Sequence, residues 1–170
     1  MPDSPLVITL VVDNEASDGL VVEHGFAAWI EVGKHRLLFD TGQGAALVPN
    51  ALALGIDLAA ADALVLSHGH YDHTGGVPNF LDRNAVAPLC AGAGFDVQRF
   101  SCHPEKPPRN IGLSDPVRAL LQALPEWRRV GLEAPCYLLP GVGISGPIPR
   151  LTAFEDTGGL FYLDGDQKQP

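Results

Sequence analysis

Residues 67–76 (SHGHYDHTGG) are the stretch that decides the fold and chemistry expected of this chain. They place three imidazoles and one carboxylate within six positions, and a borderline divalent metal such as Zn²⁺ prefers these donors. His68 and His70 project to the same side of an extended backbone, because side chains alternate there, and can share one ion. Asp72 and His73 can turn toward an adjacent second ion. The stretch therefore predicts a two-metal site for Zn²⁺, with Mn²⁺ or Fe²⁺ as alternatives.

The spacing of these donors is specific. In a chain with 6 histidines, a chance match to His-x-His-x-Asp-His has odds of roughly 1 in 2,000. The competing interpretation is a His-rich surface loop that binds nothing. A short apolar run at residues 63–66 precedes the motif and two glycines follow it, so we favour a loop just beyond a strand, where α/β proteins usually place ligand sites.

Hydrophobic patterning around the motif predicts alternating strands and helices. Leu6–Val12 is β-branched and is expected to be a buried strand, and Gly33-Lys34 suits the two-residue turn of a type II′ hairpin. Pro49 is expected to break or kink a helix, and Asp115 is expected to cap another. The strands are predicted at residues 6–12, 26–32, 35–40, 63–66, 85–90 and 160–163, and the helices at 45–54, 77–81 and 116–124.

Composition narrows the classes of partner. A chain of 170 residues with 46% hydrophobic residues can bury one sizeable core, so one domain is expected. The net charge of −9 opposes binding to a phosphate backbone, and we expect no nucleic-acid partner. Leu6–Val12 is too short to cross a bilayer and has no positive flank, which predicts no membrane partner and a cytoplasmic protein.

The motif resembles in full the signature loop of the metallo-β-lactamase fold superfamily. More narrowly, the chain resembles the branch of 7,8-dihydropterin-6-methyl-4-(β-D-ribofuranosyl)aminobenzene-5′-phosphate synthases. The resemblance runs through nearly all 170 residues, with a weak patch at 89–108. The phrases that carry it are VDN (12–14), EHG (23–25), LLFDTGQ (37–43), NALALGIDL (50–58), LVLSHGHYDHTGG (64–76), GPIPR (146–150) and FE (154–155).

The resemblance implies an α/β fold and a set of metal ligands. The superfamily fold is an αββα sandwich, of which this chain would supply the N-terminal half, one mixed sheet with flanking helices. His68 and His70 would bind the first metal, and Asp72 and His73 the second. The complete site would hold two divalent ions, Zn²⁺ being the first choice.

Two further residues stand in phrases typical of the family. Asp40 matches the other signature carboxylate and would orient a ligand histidine from outside the coordination sphere; a turn-forming Asp at a strand end is an equal alternative. His24 would face the pocket, although an isolated histidine more often has a structural or surface role. His35 and His103 have no comparable context.

Three ligands of the complete fold have no counterpart in the sequence. The family closes its sites with two further histidines and a bridging aspartate, whereas the only histidine after His73 is His103, in an unrelated context. We therefore expect residues 1–170 to be a single metallo-β-lactamase-like domain that is incomplete at its C-terminal end. Its sheet would leave one apolar face uncovered, for self-association or for a complementing C-terminal half.

The function expected from the motif and the resemblance is metal-dependent hydrolysis. The substrate would be a small ester, lactone, thioester or phosphate compound, with a pterin-related molecule among the candidates. Metals would generate hydroxide from bound water, and Asp72 would orient it or relay a proton. With its ligands incomplete, the isolated chain is expected to be catalytically silent. The alternative is a non-catalytic module that binds metal or dimerises.

Overall fold

The computed structural model describes residues 5–149, 151–152, 154 and 159–163. Arg150 and Glu155, which carry part of the resemblance, lie outside the described residues, as do residues 164–170. The helices are α1 (Leu47–Ala53), α2 (Tyr71–Thr74), α3 (Val77–Leu81) and α4 (Asp115–Ala123), with 3₁₀ turns at Leu58–Ala60 and Glu126–Arg128. The strands are β1 (Leu6–Val12), β2 (Ala27–Val32), β3 (His35–Phe39), β4 (Ala63–Leu66), β5 (Leu89–Gly92), β6 (Phe100–Ser101), β7 (Arg109–Asn110), β8 (Arg129–Leu132), β9 (Cys136–Leu139), β10 (Val142–Ile144) and β11 (Phe161–Tyr162).

A six-stranded mixed sheet organises the fold, in the order β1-β2-β3-β4-β5-β8. β1, β2 and β3 are antiparallel, and β3, β4, β5 and β8 run parallel. The β2–β3 hairpin turns at Gly33, whose φ of 59° is the conformation that the predicted two-residue turn needs. The expectation of an α/β fold built on one mixed sheet with flanking helices is confirmed, and the carboxyl ends of the parallel strands meet at one edge.

Neighbouring residues on each strand face opposite sides of the sheet, so the apolar side chains form two separate clusters, one on each side. Leu38, Leu64 and Leu66 lie on the side that α1, α3 and α4 cover, where Phe80 of α3 is fully buried. Leu37 and Val65 lie on the opposite side. The period-two pattern of the sequence thus separates a helical face from a second face.

The second face is partly covered by the β9–β10 hairpin. Leu138, Leu139, Val142 and Ile144 of this hairpin pack on the cluster that contains Val65. The expectation of an uncovered apolar face is therefore wrong over the parallel strands. Residues 130–148, dense in Gly and Pro, still form short strands because a hairpin can bury its alternate apolar residues against a neighbouring sheet.

The buried-strand prediction for β1 is wrong over its first half. Leu6, Ile8 and Leu10 are 63%, 57% and 51% exposed. Ile8 pairs with Ile30, so this row faces the same side as the β9–β10 hairpin, but none of the three belongs to the cluster under that hairpin. β1 is an edge strand, and its composition alone does not reveal that position.

Three local predictions are corrected by the structure. Pro49 lies in the first turn of α1, where a backbone N–H has no helical partner, so the helix is not broken. Ser114, rather than Asp115, caps α4 by accepting from the Val117 amide. The strand predicted at 85–90 begins only at Leu89, because the Asn84 side chain accepts hydrogen bonds from the backbone amides of residues 86 and 87.

Glu23 connects the loop after β3 to the segment leading into α1. Its Oε1 accepts hydrogen bonds from the Gln43 and Gly44 amides at 2.7 and 3.1 Å, and its Oε2 accepts from the Ala45 and Ala46 amides at 2.8 and 3.1 Å. Ala46 is the N-cap of α1 and offers no side-chain acceptor. The carboxylate thus accepts hydrogen bonds from four backbone amides at the start of α1, where no neighbouring side chain serves as the acceptor.

A small three-stranded sheet, in the order β11-β6-β7, lies beside the main one. Its contact with the motif is direct, because the Tyr71 amide donates to the carbonyl of Ile111 just after β7. The strand predicted at 160–163 is the short β11. In the part of the chain that the structure describes, no helix is long and apolar enough to span a bilayer.

Candidate metal centre

The motif loop leaves the carboxyl end of β4 and is fastened to the loop that follows β3. Thr41 donates both its amide and its hydroxyl to the carbonyl oxygen of His73, each at 2.8 Å. The same hydroxyl accepts from the amide of Gly76 at 3.1 Å. The two loops therefore form one unit at the sheet edge. The position of the motif just beyond β4 is as predicted from the short apolar run before His68.

Three imidazoles of the motif lie close together. The ring centroids of His68 and His70 are 4.4 Å apart, and those of His68 and His73 are 4.2 Å apart. Across the described ranges, however, no three His, Cys, Asp or Glu side chains are arranged so that they could hold an ion. The fold gathers the predicted ligands but does not by itself form a coordination sphere.

Hydrogen bonds decide which imidazole nitrogens are free to bind a metal. Asp40 Oδ2 lies 2.8 Å from His73 Nδ1 and accepts the hydroxyl proton of Ser67 at 2.6 Å. Ser67 Oγ has then used its only proton, so it accepts from His68 Nδ1 at 2.8 Å. Because each histidine uses Nδ1 in this network, Nε2 of both rings is left outside it. Such outer hydrogen bonds are the usual way in which ligand histidines are oriented, so the donor set fits a divalent metal.

Asp40 occupies an unusual backbone conformation. Its φ of 58° is the only positive φ among the described residues other than glycine, and its side chain is buried. Its Oδ1 accepts the Ser67 amide at 2.8 Å, so both oxygens face the motif loop. The strand-end aspartate thus contacts one predicted ligand directly and another through Ser67. Its role at a metal stays a prediction.

The pKa values of two histidines are shifted in the direction that favours metal binding. Burial, reinforced by the neighbouring charges of His73 and His70, lowers the pKa of His68 to about 4. Burial also lowers the pKa of His70. Burial alone would lower the pKa of His73, but the hydrogen bond and charge of Asp40 raise it overall. His68 and His70 are therefore neutral at pH 7, as a ligand must be.

Asp72 lies between two imidazoles. Its Oδ2 is 3.3 Å from His24 Nε2 and 3.9 Å from His73 Nε2. His24 is itself held by Asn14, whose Oδ1 lies 2.6 Å from His24 Nδ1. The structure thus places His24 at the candidate site, where the sequence favoured a structural or surface role. The roles of Asp72 and His24 stay predictions.

Gly25 is required by the close approach of the Asp72 backbone. An added Cβ would lie 2.2 Å from the Asp72 carbonyl oxygen, and the φ of Gly25 is 134°.

We predict that Gly25→Ala displaces the Asp72 loop and lowers the free energy of unfolding by about 2 kcal/mol or more. Urea unfolding measures the loss. Gly19→Ala is the matched control, because Gly19 also has a positive φ of 88° but nothing within 4 Å. Equal losses in the two variants would mean that backbone strain, rather than the contact with Asp72, accounts for the effect.

A cavity of about 320 Å³ adjoins the motif on the side of the small sheet. Its lining includes His24, His70 and Asp72 together with the cations Lys106 and Arg109. Phe161 of β11 also lines the cavity, with its ring centroid 5.7 Å from that of His70. His103, which the sequence gave no reason to favour, lines it too.

Sequence reasoning missed Lys106, Arg109 and Phe161. One weak signal existed, because three of the chain's 11 cationic residues fall at positions 99, 106 and 109. No pattern links residues 106, 109 and 161 to a motif at 68–73. Only the pairing of β6 with β7 and β11 brings them to it.

Comparisons with known proteins find sequence similarity over most of this chain. Residues 20–96 match the family model of the metallo-β-lactamase superfamily. Over 150 residues, 88% of this chain, the sequence is 28% identical to an uncharacterized protein of Methanocaldococcus jannaschii. Over 89 residues, 49% of this chain, it is 35% identical to the 7,8-dihydropterin-6-methyl-4-(β-D-ribofuranosyl)-aminobenzene-5′-phosphate synthase of the same organism.

These alignments cover 56% and 30% of the two relatives, so the chain spans about half or less of the curated proteins it matches. Among solved structures, the metallo-β-lactamase SMB-1 in complex with mercaptoacetic acid superposes with a TM-score of 0.46 and 19% identity. That superposition covers 71% of this chain and 45% of the other. The matched residues 20–96 include the whole motif together with Asp40 and His24.

Proposed function

We propose that this chain, a member of the metallo-β-lactamase superfamily, supplies metal ligands of a dinuclear hydrolase. Its membership rests on residues 20–96, which match the family model. The ligands are His68, His70, Asp72 and His73. Members of the superfamily are mostly hydrolases, and Zn²⁺ suits the nitrogen and carboxylate donors best. The substrate would be a small ester, lactone, thioester or phosphate compound, with a pterin-related molecule as one candidate.

One observation carries this proposal, the shared hydrogen bonding of Asp40 to His73 and to Ser67 beside His68. A turn-forming aspartate would need only local backbone partners. Here its Oδ2 orients two imidazoles of the motif so that both Nε2 atoms stay free. This arrangement supports a metal-binding role better than it supports a His-rich surface loop.

A divalent metal held at this site would make water more acidic and polarise the substrate's carbonyl or phosphoryl oxygen. Asp72 Oδ2, between His24 and His73, is suited to orient the attacking water and accept its proton. The water oxygen would bond to the carbonyl carbon or phosphorus, and the bond to the leaving oxygen or sulfur would break. The proton taken from water would pass to that leaving atom.

The test is an activity screen on the protein in the form in which the cell makes it, beside the 170-residue chain. Activated esters, lactones, thioesters and phosphate esters are assayed with added Zn²⁺ or Mn²⁺. We expect metal-dependent turnover by the cellular form that Asp72→Ala abolishes, with the thermal unfolding temperature nearly unchanged. We expect the 170-residue chain alone to be silent, because two donors per metal are fewer than the three or four usual for zinc.

The second candidate is a non-catalytic module that binds metal or dimerises. It would retain the motif, but among the described residues no three donors converge to hold an ion as hydroxide generation needs. Metal uptake by the cellular form without turnover of any substrate in the screen would support this candidate and contradict the hydrolase. Turnover that survives Asp72→Ala with the metal content unchanged would remove Asp72 from the mechanism.

Self-association through β1 is a further part of the proposal. β1 is an edge strand, and unpaired backbone groups beside exposed apolar side chains favour pairing with another chain. We predict that the chain self-associates and that Ile8→Lys weakens this association by about 10-fold or more, because Ile8 would otherwise be buried. Light scattering across a concentration series measures the effect.

Leu52→Lys is the matched control for this prediction, because Leu52 is 73% exposed and belongs to α1 rather than to the edge strand. A monomer at every concentration would contradict self-association. It would leave a complementing C-terminal half as the partner that covers this face. Equal weakening by Ile8→Lys and Leu52→Lys would mean that β1 is not the interface.

A cytoplasmic location is also proposed, and the three cysteines support it. Cys90, Cys102 and Cys136 are all free thiols. Burial, with a smaller contribution from Cys136, raises the pKa of Cys90 to about 11, so this thiol stays protonated and unreactive at neutral pH. A chain without disulfides fits a reducing compartment.

A further inference from the structure

We propose that the cavity beside the motif binds an anionic group of the substrate, a phosphate or a carboxylate, through Lys106 and Arg109. The inference rests on the proposed hydrolase function and narrows its substrate class. The two cations lie on the connection between β6 and β7 and at the start of β7. They line the same cavity of about 320 Å³ as His70 and Asp72.

The two cations are available to a ligand. Within the ranges that the structure describes, no carboxylate lies within 4.0 Å of the Lys106 or Arg109 side chain. Both residues are exposed, so their charges are hydrated at little cost until a ligand arrives. By contrast, Arg36 is paired with Glu31 at 3.5 Å, and Arg99 donates to three backbone carbonyl oxygens.

Arg109 is positioned rather than free to rotate. Its guanidinium carbon lies 4.9 Å from the centroid of the Tyr71 ring, a cation–π contact that limits the orientation of the fork. The Tyr71 amide is bonded to the Ile111 carbonyl, which fixes this strand against the motif. A guanidinium held in this way presents paired N–H donors, and these match two oxygens of a phosphate or carboxylate.

The charge of the cavity wall contrasts with that of the whole chain. The net charge is −9, so a ligand anion is repelled by most of the molecule. Lys106 and Arg109 bring two positive charges to a cavity whose only lining carboxylate, within the described residues, is that of Asp72. An anion bound there would sit beside the motif, with its neighbouring bond directed toward His70 and Asp72.

The geometry also separates recognition from reaction. The anionic group would contact Lys106 and Arg109, on the β6–β7 connection and on β7, whereas the predicted metal ligands lie on the motif. A substrate held at one end by Lys106 and Arg109 would present a second, hydrolysable group to the motif. Binding the anion at a distance from the reacting bond is a general way to position a substrate.

The test uses metal-free chain, stripped with a chelator and then dialysed into buffer without chelator or phosphate. Phenyl phosphate, benzoate and the neutral benzyl alcohol are titrated separately, and binding is followed by NMR and calorimetry. We expect one or both anions to bind at least about 10-fold more tightly than benzyl alcohol, because only they pair with both cations. The two anion arms distinguish a phosphate site from a carboxylate site.

Lys106→Gln/Arg109→Gln is the deciding variant. We expect it to weaken binding of the preferred anion by at least about 10-fold, because charge-assisted bonds to both cations are lost. Lys34→Gln/Arg36→Gln is the matched control. It removes the same two positive charges at the start of β3, which is the end of that strand remote from the motif. Lys106→Gln alone serves if the double variant unfolds, since Lys106 lies on an exposed turn.

Equal anion affinity in the parent and the deciding variant would overturn the inference, as would equal affinity for benzyl alcohol and both anions. Because no metal is present, anion binding can succeed even if the hydrolase proposal fails. Conversely, metal-dependent turnover of neutral substrates without anion binding would refute only the substrate class.

Discussion

Replacing both His68 and His70 with alanine is expected to lower the zinc affinity of the chain by at least about 100-fold, since losing even an outer partner of a zinc ligand costs about 10- to 100-fold. The two rings lie 4.4 Å apart on one side of the motif. Burial lowers the pKa of each, so in the parent both offer a neutral nitrogen at pH 7 without first releasing a proton.

Competition with a zinc-sensitive dye at pH 7 measures this loss, and elemental analysis after dialysis gives the stoichiometry. His35→Gln is the control, because His35 lies at the opposite end of β3, with its Nδ1 3.5 Å from Asp62. Zinc affinity within about 3-fold of the parent in the double variant would exclude these histidines as ligands, because even an outer partner of a ligand contributes about 10- to 100-fold. Two tightly held equivalents in the parent would show that the described chain completes the site after all.

Removing the carboxylate of Glu23 is expected to lower the free energy of unfolding by about 3 kcal/mol or more. Glu23→Ala leaves four amides at residues 43–46 without an acceptor, and each bond to a charged group contributes about 1.5–3 kcal/mol, although the four are not additive. The loss should extend beyond α1, because the same segment continues from the loop that fastens His73 through Thr41.

Chemical denaturation followed by circular dichroism measures the Glu23 effect. Glu23→Gln should fall between the parent and Glu23→Ala, because its single carbonyl oxygen still accepts from part of the segment. Glu15→Ala is the control, since Glu15 is exposed, and it should change stability by less than about 0.5 kcal/mol. A Glu23→Ala variant as stable as this control would mean that water satisfies the four amides.

The pairing of Asp40 with the motif shows how far sequence reasoning reaches. The aspartate could be singled out because it follows a predicted strand in a family phrase, and the structure places its Oδ2 2.8 Å from His73 Nδ1. Its hydrogen bond to Ser67, which links it to His68, was not predicted. A serine before a histidine has no distinctive spacing, and the contact depends on β3 and β4 being parallel neighbours.

The sequence by itself singled out the candidate donors and the strand that precedes them, because these depend on local spacing and on period-two alternation, and its resemblance to the superfamily implied one mixed sheet. Only the tertiary structure decided what surrounds the motif. Glu23 finds its four amides about twenty residues away, the β9–β10 hairpin covers a face expected to be bare, and β11 brings Phe161 to His70. Such contacts follow from chain topology and side-chain packing, which join residues far apart in sequence and leave no periodic pattern along the chain.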